Sequence, residues 1–523
     1  MTPDRSSICS GTSPNGSGLR TSLSVFVPVF NEQYLVDASL RRLTVLAESA
    51  LLTRVQVIVV DDCSRDQTSV VLADFQKNLP ADPGGKMDWH FFRHDQNQGK
   101  GAALRTAIEH AECDLSVVHD ADLEYHPRDL LQMIPLFLQE NADAVFGSRF
   151  MAGGFKRALF FKHSLGNHLL TFLCDLASDL NLTDMETCYK MVRTDLLQTI
   201  PLVSCDFRIE PELTIKLAKR GAHIFEVPIN YSGRTYQEGK KIGWKDGLRA
   251  LFAIARFRVS DRICKPDRYG SEVAIRLGRA PKYNRWLADL VRPQLGSNVL
   301  EIGAGTGGLL IHLIPRTHYW ACDANPLFVR ELRKLIATRP YLEASAVDPG
   351  DPSSLPVGRE FDTVICQNVL EHVEDDVAIL RGIGDLVRAD GRIIALVPNG
   401  PRLFGAIDRS LGHVRRYTRD QLHMLAEKAG MRCVSIVPFN RACSLPWWLA
   451  GRVLGRGHFT LLQVKTVNWI TPIVRRVEPY VPLPPLSLIA TLEKVQPAGQ
   501  SRTEASPGDS LCVSHGLAEP ARD

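Results

Sequence analysis

The chain has 523 residues, 45% of them hydrophobic and 23% charged, with a formal net charge of +4. That length fits two or three domains, each able to bury a core. So small a net charge gives no footing for a nucleic-acid partner. No run approaches about 18 uninterrupted apolar residues, so no transmembrane helix is expected. The twelve cysteines show no C-x-x-C pair and no zinc spacing, which reads as buried thiols in a reducing, cytoplasmic setting. There the glycosylation-like triplets at Asn15 and Asn181 are coincidental.

Residues 1–21 are rich in Ser and Gly, lack the apolar stretch of a signal peptide and are expected to be disordered. From Leu23 the pattern runs strand, loop, helix. Strands are expected over 23–29, 55–60, 89–93, 115–119 and 143–147, with helices over 31–49 and 100–111 and a loop and helix over 64–79. Such alternation argues for an open, mostly parallel α/β sheet. Past Gly233 the chain turns basic, with ten Lys or Arg against four Asp or Glu over 234–268. Within it, 244–259 spaces Leu248, Leu251, Phe252 and Ala255 as a helix face beside Arg249, Arg256 and Arg258. Such a helix can lie on an anionic membrane surface or pack on its own domain with Arg outward. Residues 265–281 read as linker. A second α/β unit starts near Tyr283, with strands over 298–302, 319–322, 361–366 and 391–397 and a returning edge strand over 486–492. The division expected is a tail 1–21, a first domain 22–260, a linker 261–282, a second domain 283–495 and a polar, disordered tail 496–523.

Residues 115–125 read LSVVHDADLEY. A short apolar run ends in carboxylates at Asp120, Asp122 and Glu124. At the mouth of a parallel sheet such groups face a crevice beyond the strand ends. Hard oxygen ligands beside a diphosphate suit Mg²⁺ or Mn²⁺; taken alone, the same residues make a solvated acidic turn. Four further stretches flank it. VPVFNE (27–32) ends a strand at Pro28, which cannot donate to a ladder, and carries Glu32. VVDDCSRD (59–66) ends the next strand in Asp61 and Asp62, and one of these can accept a hydrogen bond from a uracil imide or a guanine N1–H. NQGKG (97–101) precedes a helix; its glycines permit close approach of a ligand, the helix N-terminus favours an anion, and Lys100 sits among them. GSR (147–149) puts Arg149 where a phosphate could be clamped.

The order VPxxNE, DD, NxGKG, DAD, GSR resembles the family 2 glycosyltransferases of the GT-A fold, most closely the branch acting on polyprenyl (undecaprenyl or dolichyl) phosphate. The resemblance covers roughly 23–260 and continues in DMETCYK (184–190), FRIEPE (207–212) and GRTYQEGKKIGWKDG (233–247). It implies a nucleotide-diphosphate sugar as donor, Asp62 near the base, a metal at Asp120, Asp122 and Glu124, and Arg149, Lys162 and Ser164 near the phosphates. Metal and cations would stabilise the leaving nucleoside diphosphate, and attack on C1 from the opposite face gives inversion. A phosphate acceptor is already anionic. A sugar hydroxyl needs a positioned carboxylate, for which Asp184 and Glu210 are the candidates. The QxxRW motif of processive synthases is missing, since Arg285-Trp286 has Lys282 where Gln would stand. The expected acceptor is a lipid phosphate, with the enzyme peripheral on the cytoplasmic membrane face. The alternatives are a hydroxyl on a glycan or glycolipid, and a membrane-surface binding protein with one degenerate domain.

LEIGAGTGG (300–308) runs a strand into glycines and a helix. Both GxGxG and GxGxxG fit, and Asp323 follows twenty residues after Gly303, so a dinucleotide site competes with one for S-adenosylmethionine. Glu301 two places before the first glycine, Asp348 after a strand-like 344–347, and FDTVICQNVLEHV (361–373) favour the methyl donor. This order resembles the class I methyltransferases over about 283–495. The resemblance implies Asp323 on the ribose hydroxyls, Asp348 on the adenine amino group, Gly303, Gly305 and Gly307 beside the amino-acid part, and Glu301 and Gln367 as further cofactor residues. Methyl transfer from a sulfonium needs alignment and a nucleophile but no metal. On the acceptor side, LFGAIDRSLGHVRRYT (403–418) offers His413 as base or helix cap; His372 could do the same. Arg415 and Arg416 are possible partners for an acidic acceptor. The chain therefore reads as α/β with two domains, a GT-A fold followed by a Rossmann-like class I methyltransferase fold, and as a bifunctional transferase of cell-envelope glycan synthesis.

Overall fold

The computed structural model describes residues 19–495 except 83, 154–156, 158–160, 235–243, 261, 266, 268–270, 337, 349–350, 357 and 458–459. Both expected tails, except residues 19–21, most of the 233–247 motif and the side chain of Lys162 lie outside the described residues.

The first sheet contains β1 (Thr21–Val29), β2 (Leu52–Asp61), β3 (Met87–Arg93), β4 (Leu115–Val118), β5 (Ala144–Ser148), β6 (Lys190–Arg193) and β7 (Ile224–Pro228). Their order is β3-β2-β1-β4-β6-β5-β7, and β6 is antiparallel to both its neighbours. The strands β1 and β2 are near-continuous apolar runs because helices cover both their faces. Helix Lys100–Glu109 lays Ala103, Leu104 and Ala107 against Phe26 and Ile58. In-register pairing of Val29 with Asp61 and of Phe26 with Val118 brings the ends of β1, β2 and β4 to one edge. The helix expected over 31–49 is shorter, spanning Val36–Arg42 with a 3₁₀ turn at Leu43–Leu46. Asn31 takes a left-handed φ of 54°. The main-chain N–H groups of Asn31 and Glu32 donate to the Ser64 and Thr68 hydroxyls, which pins the segment as a loop.

The second sheet contains β8 (Asn298–Ile302), β9 (His318–Asp323), β10 (Leu342–Ala346), β11 (Phe361–Gln367), β12 (Val387–Pro398), β13 (Met431–Phe439) and β14 (Ser487–Lys494). The order is β10-β9-β8-β11-β12-β14-β13. The returning strand β14 is thus not an edge strand: it inserts antiparallel between β12 and β13. The edge is β13, whose alternation is too irregular to read from sequence. The stretch read as linker holds a helix, Ser271–Gly278, which buries Val273 and Ile275. Helix Leu461–Val477 fills much of the Trp- and Arg-rich segment before β14. Arg330 and Lys334, on helix Pro326–Ile336 beside the second sheet, ion-pair with the fully buried Asp143 before β5.

Candidate active sites

Beyond the edge formed by β1, β2 and β4, one cationic network gathers the acidic residues. Lys100 Nζ lies 3.0 Å from Asp120 and 3.4 Å from Glu210. Burial works against its charge, but Asp120 and Glu210 raise its pKa well above the ordinary range. Arg234 reaches Asp122 at 3.2 Å, Glu124 at 3.3 Å and Glu32 at 3.9 Å. The Tyr231 hydroxyl donates to Glu124 at 2.6 Å. Burial, together with the charges of Asp120 and Glu124, pushes the Asp122 carboxyl up to about 7. A hard cation such as Mg²⁺ or Mn²⁺ would relieve that surplus of negative charge, but among the described residues Asp120, Asp122 and Glu124 do not draw their oxygens into one cluster of three as they stand. Arg234 lay inside a quoted motif but had been given no role. It is one of ten Lys or Arg over 234–268, and nothing local marks it as the one that follows the Tyr125–Tyr231 bridge and reaches the carboxylates.

The paired aspartates are held differently. Asp62 accepts from the Gln98 and Gly99 main-chain N–H groups, at 2.9 and 2.6 Å, and sits 2.7 Å from His94 Nδ1. It organises the NQGKG loop. Its neighbour Asp61 is also buried, and its Oδ2 has no hydrogen-bond partner, with only Arg93 at 3.5 Å. The NQGKG glycines serve packing and not ligand approach. A Cβ on Gly99 or Gly101 would lie 2.2 Å from the carbonyl oxygen of Cys205 or Ser204.

Arg149 and the candidate bases are engaged elsewhere. The Arg149 guanidinium is bidentate to Asp184, at 2.6 and 2.7 Å, and both side chains are buried. Glu210 is buried against Lys190 at 2.6 Å. Arg149, Asp184 and Glu210 are thus each held in a buried ion pair. Pro28 lies within β1, paired with Val60. Ser164 falls in the first turn of helix Phe161–Ser178.

In the second unit a cavity of about 1340 Å³ opens at the C-terminal ends of the strands, lined by Gly303, Gly305, Asp323, Asp348, Gln367 and His413 among others. Ligands of open α/β sheets bind at that end. Gly305 has φ 56° and a Cβ there would meet nothing within 4 Å, so its backbone borders open space. Gly303, at φ 82°, passes so close to Gln367 that a Cβ would lie 2.3 Å from its carbonyl oxygen. Asp323 accepts the Gly305 and Asn325 N–H groups, both at 2.8 Å. The buried Oε1 of Gln367 has no hydrogen-bond partner. A nucleoside with an amino-acid arm fits this cradle of glycines, carboxylates and an unpaired amide oxygen. Glu301 does not line the cavity. It is fully buried behind the glycine loop, accepts from Tyr319 at 2.8 Å, and burial pushes its carboxyl up to about 7.

On the acceptor side, Arg416 is buried against Asp408 at 2.7 Å and Arg415 pairs with Asp376 at 2.9 Å. His413 Nδ1 lies 3.0 Å from the same Asp408. His372 packs edge-on to His413, and burial lowers its pKa to about 4.

Two helical regions leave apolar rows in solvent. Helix Phe161–Ser178 exposes Leu165, Leu169, Phe172 and Leu176, and helix Trp244–Val259 packs beside it and exposes Leu248, Phe252 and Val259. The apolar row read from sequence on the latter is thus its outer face; Ala253, Ile254 and Phe257 make the core contact. Helix Leu461–Val477 turns Val464 inward and exposes Leu462, Trp469 and Ile473. Among the described residues no helix is long and apolar enough to cross a membrane.

Residues 24–200 match the family Glycosyl transferase family 2, and residues 300–393 match a Methyltransferase domain. Two uncharacterized proteins of Methanocaldococcus jannaschii, MJ1222 and MJ0544, are similar to this chain. The first is 26% identical over 45% of this chain and 91% of its own length, the second 25% identical over 41% and 92%. A crystal structure of glucosyl-3-phosphoglycerate synthase from Mycobacterium tuberculosis with Mn²⁺, UDP and phosphoglyceric acid overlaps 46% of this chain and 78% of that one, at 17% identity and a TM-score of 0.35.

Proposed function

We propose, for a chain that joins a family 2 glycosyltransferase domain to a methyltransferase domain, a pair of successive reactions on one lipid-linked glycan. The first domain transfers a sugar from a nucleotide-diphosphate sugar to a polyprenyl phosphate, with inversion at C1. The second transfers a methyl group from S-adenosylmethionine, the donor its domain type implies, to a hydroxyl of the glycan.

The observation that carries the first half is the ring of carboxylates, Glu32, Asp120, Asp122 and Glu124, gathered by Lys100 and Arg234 at the sheet edge. Asp122 and Glu124, with Asp120 behind them, would hold Mg²⁺ or Mn²⁺, which supplies Lewis-acid stabilisation of the departing diphosphate. Lys100 and Arg234 add fixed positive charge at the same place, acting where charge develops. Asp61, whose buried Oδ2 takes no hydrogen bond and has only the Arg93 ion pair at 3.5 Å, is the carboxylate for the base N–H; Asp62 shapes the loop beside it. A lipid phosphate is favoured over a hydroxyl acceptor because Asp184 and Glu210 are each held by a buried cation, and an anionic phosphate needs no base.

The exposed apolar rows on helices Phe161–Ser178 and Trp244–Val259, flanked by Arg249, Arg256 and Arg258, support peripheral binding to an anionic membrane face. Helix Leu461–Val477 also lines the methyl-transfer cavity and carries Trp469 outward, which supports a lipid-borne methyl acceptor. An Asp122→Asn variant tests the first half. Sugar transfer should fall at least about a hundredfold, the scale of a lost electrostatic stabiliser, while S-adenosylmethionine binding stays intact. Undiminished transfer would remove Asp122 from the site.

A further inference from the structure

We propose that Glu371, His372 and His413 form a divalent-cation site in the methyl-transfer cavity, whose open side takes the hydroxyl oxygen that receives the methyl. The role given to the cation rests on the methyl-transfer reading; the site itself stands on geometry. One ligand atom from each residue lies within 4.8 Å of the others. That separation closes onto a cation of 2.0–2.2 Å bond length by small rotations of three side chains.

Glu371 is fully buried, and neither carboxylate oxygen has a hydrogen-bond partner outside its own residue. Buried carboxylates are ordinarily paired, hydrogen-bonded or bound to a metal. The nearest imidazole nitrogen, His413 Nε2, stands 3.9 Å away, too far for a hydrogen bond. A cation between them satisfies both.

His413 is already oriented as a ligand. Asp408 accepts from the Arg416 guanidinium at 2.7 Å and from the Gly405 N–H at 2.9 Å, so it is ionised and can only accept. His413 must donate to it through Nδ1, at 3.0 Å, which leaves the Nε2 lone pair facing Glu371. His372 packs edge-on to His413, with ring centroids 4.9 Å apart. An outer carboxylate such as Asp408 is a usual support of a metal-ligating histidine. The backbone sets the three together. Glu371 and His372 share the 3₁₀ turn Leu370–His372 just past β11, and His413 follows the left-handed Gly412 that ends helix Ala406–Leu411. Both rings line the cavity that also holds Gly305, Asp323 and Gln367. Two imidazoles and one carboxylate suit Mn²⁺, Fe²⁺, Co²⁺ or Zn²⁺ better than Mg²⁺ or Ca²⁺.

The sulfonium leaves without help, so the cation acts on the other reactant. The bound acceptor hydroxyl gives its proton to water. Its oxygen lone pair then forms the bond to the methyl carbon as the carbon–sulfur bond breaks and its pair stays on sulfur. The products are a methyl ether, S-adenosylhomocysteine and one proton.

The test titrates Co²⁺ into metal-stripped full-length protein, read by visible absorption and calorimetry, with S-adenosylmethionine titrated separately. Wild type should show the strong bands of nitrogen ligation, and Asp122→Asn should keep them. Glu371→Gln and His413→Ala should each weaken that Co²⁺ site by at least about tenfold and still bind S-adenosylmethionine. Gly305→Arg should lose S-adenosylmethionine and keep the Co²⁺ bands, which separates failure of the metal site from failure of the cofactor reading. Should either ligand variant lose both, it is misfolded and His372→Gln is scored in its place. Wild type without nitrogen-ligation bands, or bands unchanged in the ligand variants, overturns the site.

Discussion

Replacing Asp184 with Asn should destabilise the protein more than it slows the chemistry. Asp184 is wholly buried, and its two oxygens take the Arg149 guanidinium at 2.6 and 2.7 Å and the Arg149 main-chain N–H at 3.0 Å. Arg149 is itself only 8% exposed and cannot shed its proton. Asn keeps the shape but removes the charge, leaving a buried guanidinium unmatched. Breaking a buried pair from one side costs about 3–5 kcal/mol, a large share of the 5–15 kcal/mol that holds a typical domain. Removing both charges together, as Arg149→Met with Asp184→Leu, should recover most of that loss, since an apolar pair of similar volume is often neutral or better. Urea unfolding followed by circular dichroism gives the stability, and sugar transfer by the folded fraction gives the chemistry. An unfolding midpoint equal to wild type together with a kcat lower by about a thousandfold, within the range of a lost general base, would refute the structural role and make Asp184 a base.

Gly305→Ala should lose only about 1–2 kcal/mol, the cost of holding a non-glycine residue at a left-handed φ, and bind S-adenosylmethionine less tightly, because its Cβ meets no protein atom and projects into cavity space; Gly303→Ala should lose more stability, since its Cβ would also strike the Gln367 carbonyl. Differential scanning calorimetry with and without the methyl donor separates the two. The Glu301 carboxyl, at about 7 when folded against 4.5 unfolded, holds its proton more tightly in the native state. Its contribution is complete below pH 4.5 and is lost as pH rises through 7. The melting temperature of wild type relative to Glu301→Gln should therefore fall between pH 5 and 8; a pH-independent difference contradicts the assignment. Phe252→Glu and Leu169→Glu, at exposed positions, should abolish flotation with anionic vesicles without lowering thermal stability. Unchanged flotation would show that these helices are not the membrane face.

Much of this was legible because it is written in short local patterns. Apolar runs ending in carboxylates announced β1, β2 and β4, and parallel register then carried their ends to one edge. The glycine loop after β8 was equally plain, since positive φ at Gly303 and Gly305 demands that residue. Partners distant in sequence were not legible. Asp184 and Arg149 are 35 residues apart, and nothing local told a clamp from a base. Asp61 and Asp62 are adjacent and identical, yet only the turn that aims Asp62 at the Gly99 N–H separates their tasks. Helix Trp244–Val259 has apolar residues all round, so its sequence could not say which row faces the core. The same limit hid β14, whose place in the sheet depends on β13 pairing outside it. His372 stood out as a candidate base, but the neighbouring Glu371 drew no notice, because its carboxylate's lack of partners is a property of packing alone.

The most direct test of the two-step account supplies the full-length protein with radiolabelled UDP- and GDP-sugars, Mn²⁺ and vesicles containing undecaprenyl phosphate, then adds S-adenosylmethionine. The account predicts label in the lipid phase that mild acid releases as free sugar, and, with S-adenosylmethionine present, a gain of one methyl group on that sugar. Label confined to water-soluble product, whichever donor is used, would contradict the lipid-phosphate acceptor at the centre of the account.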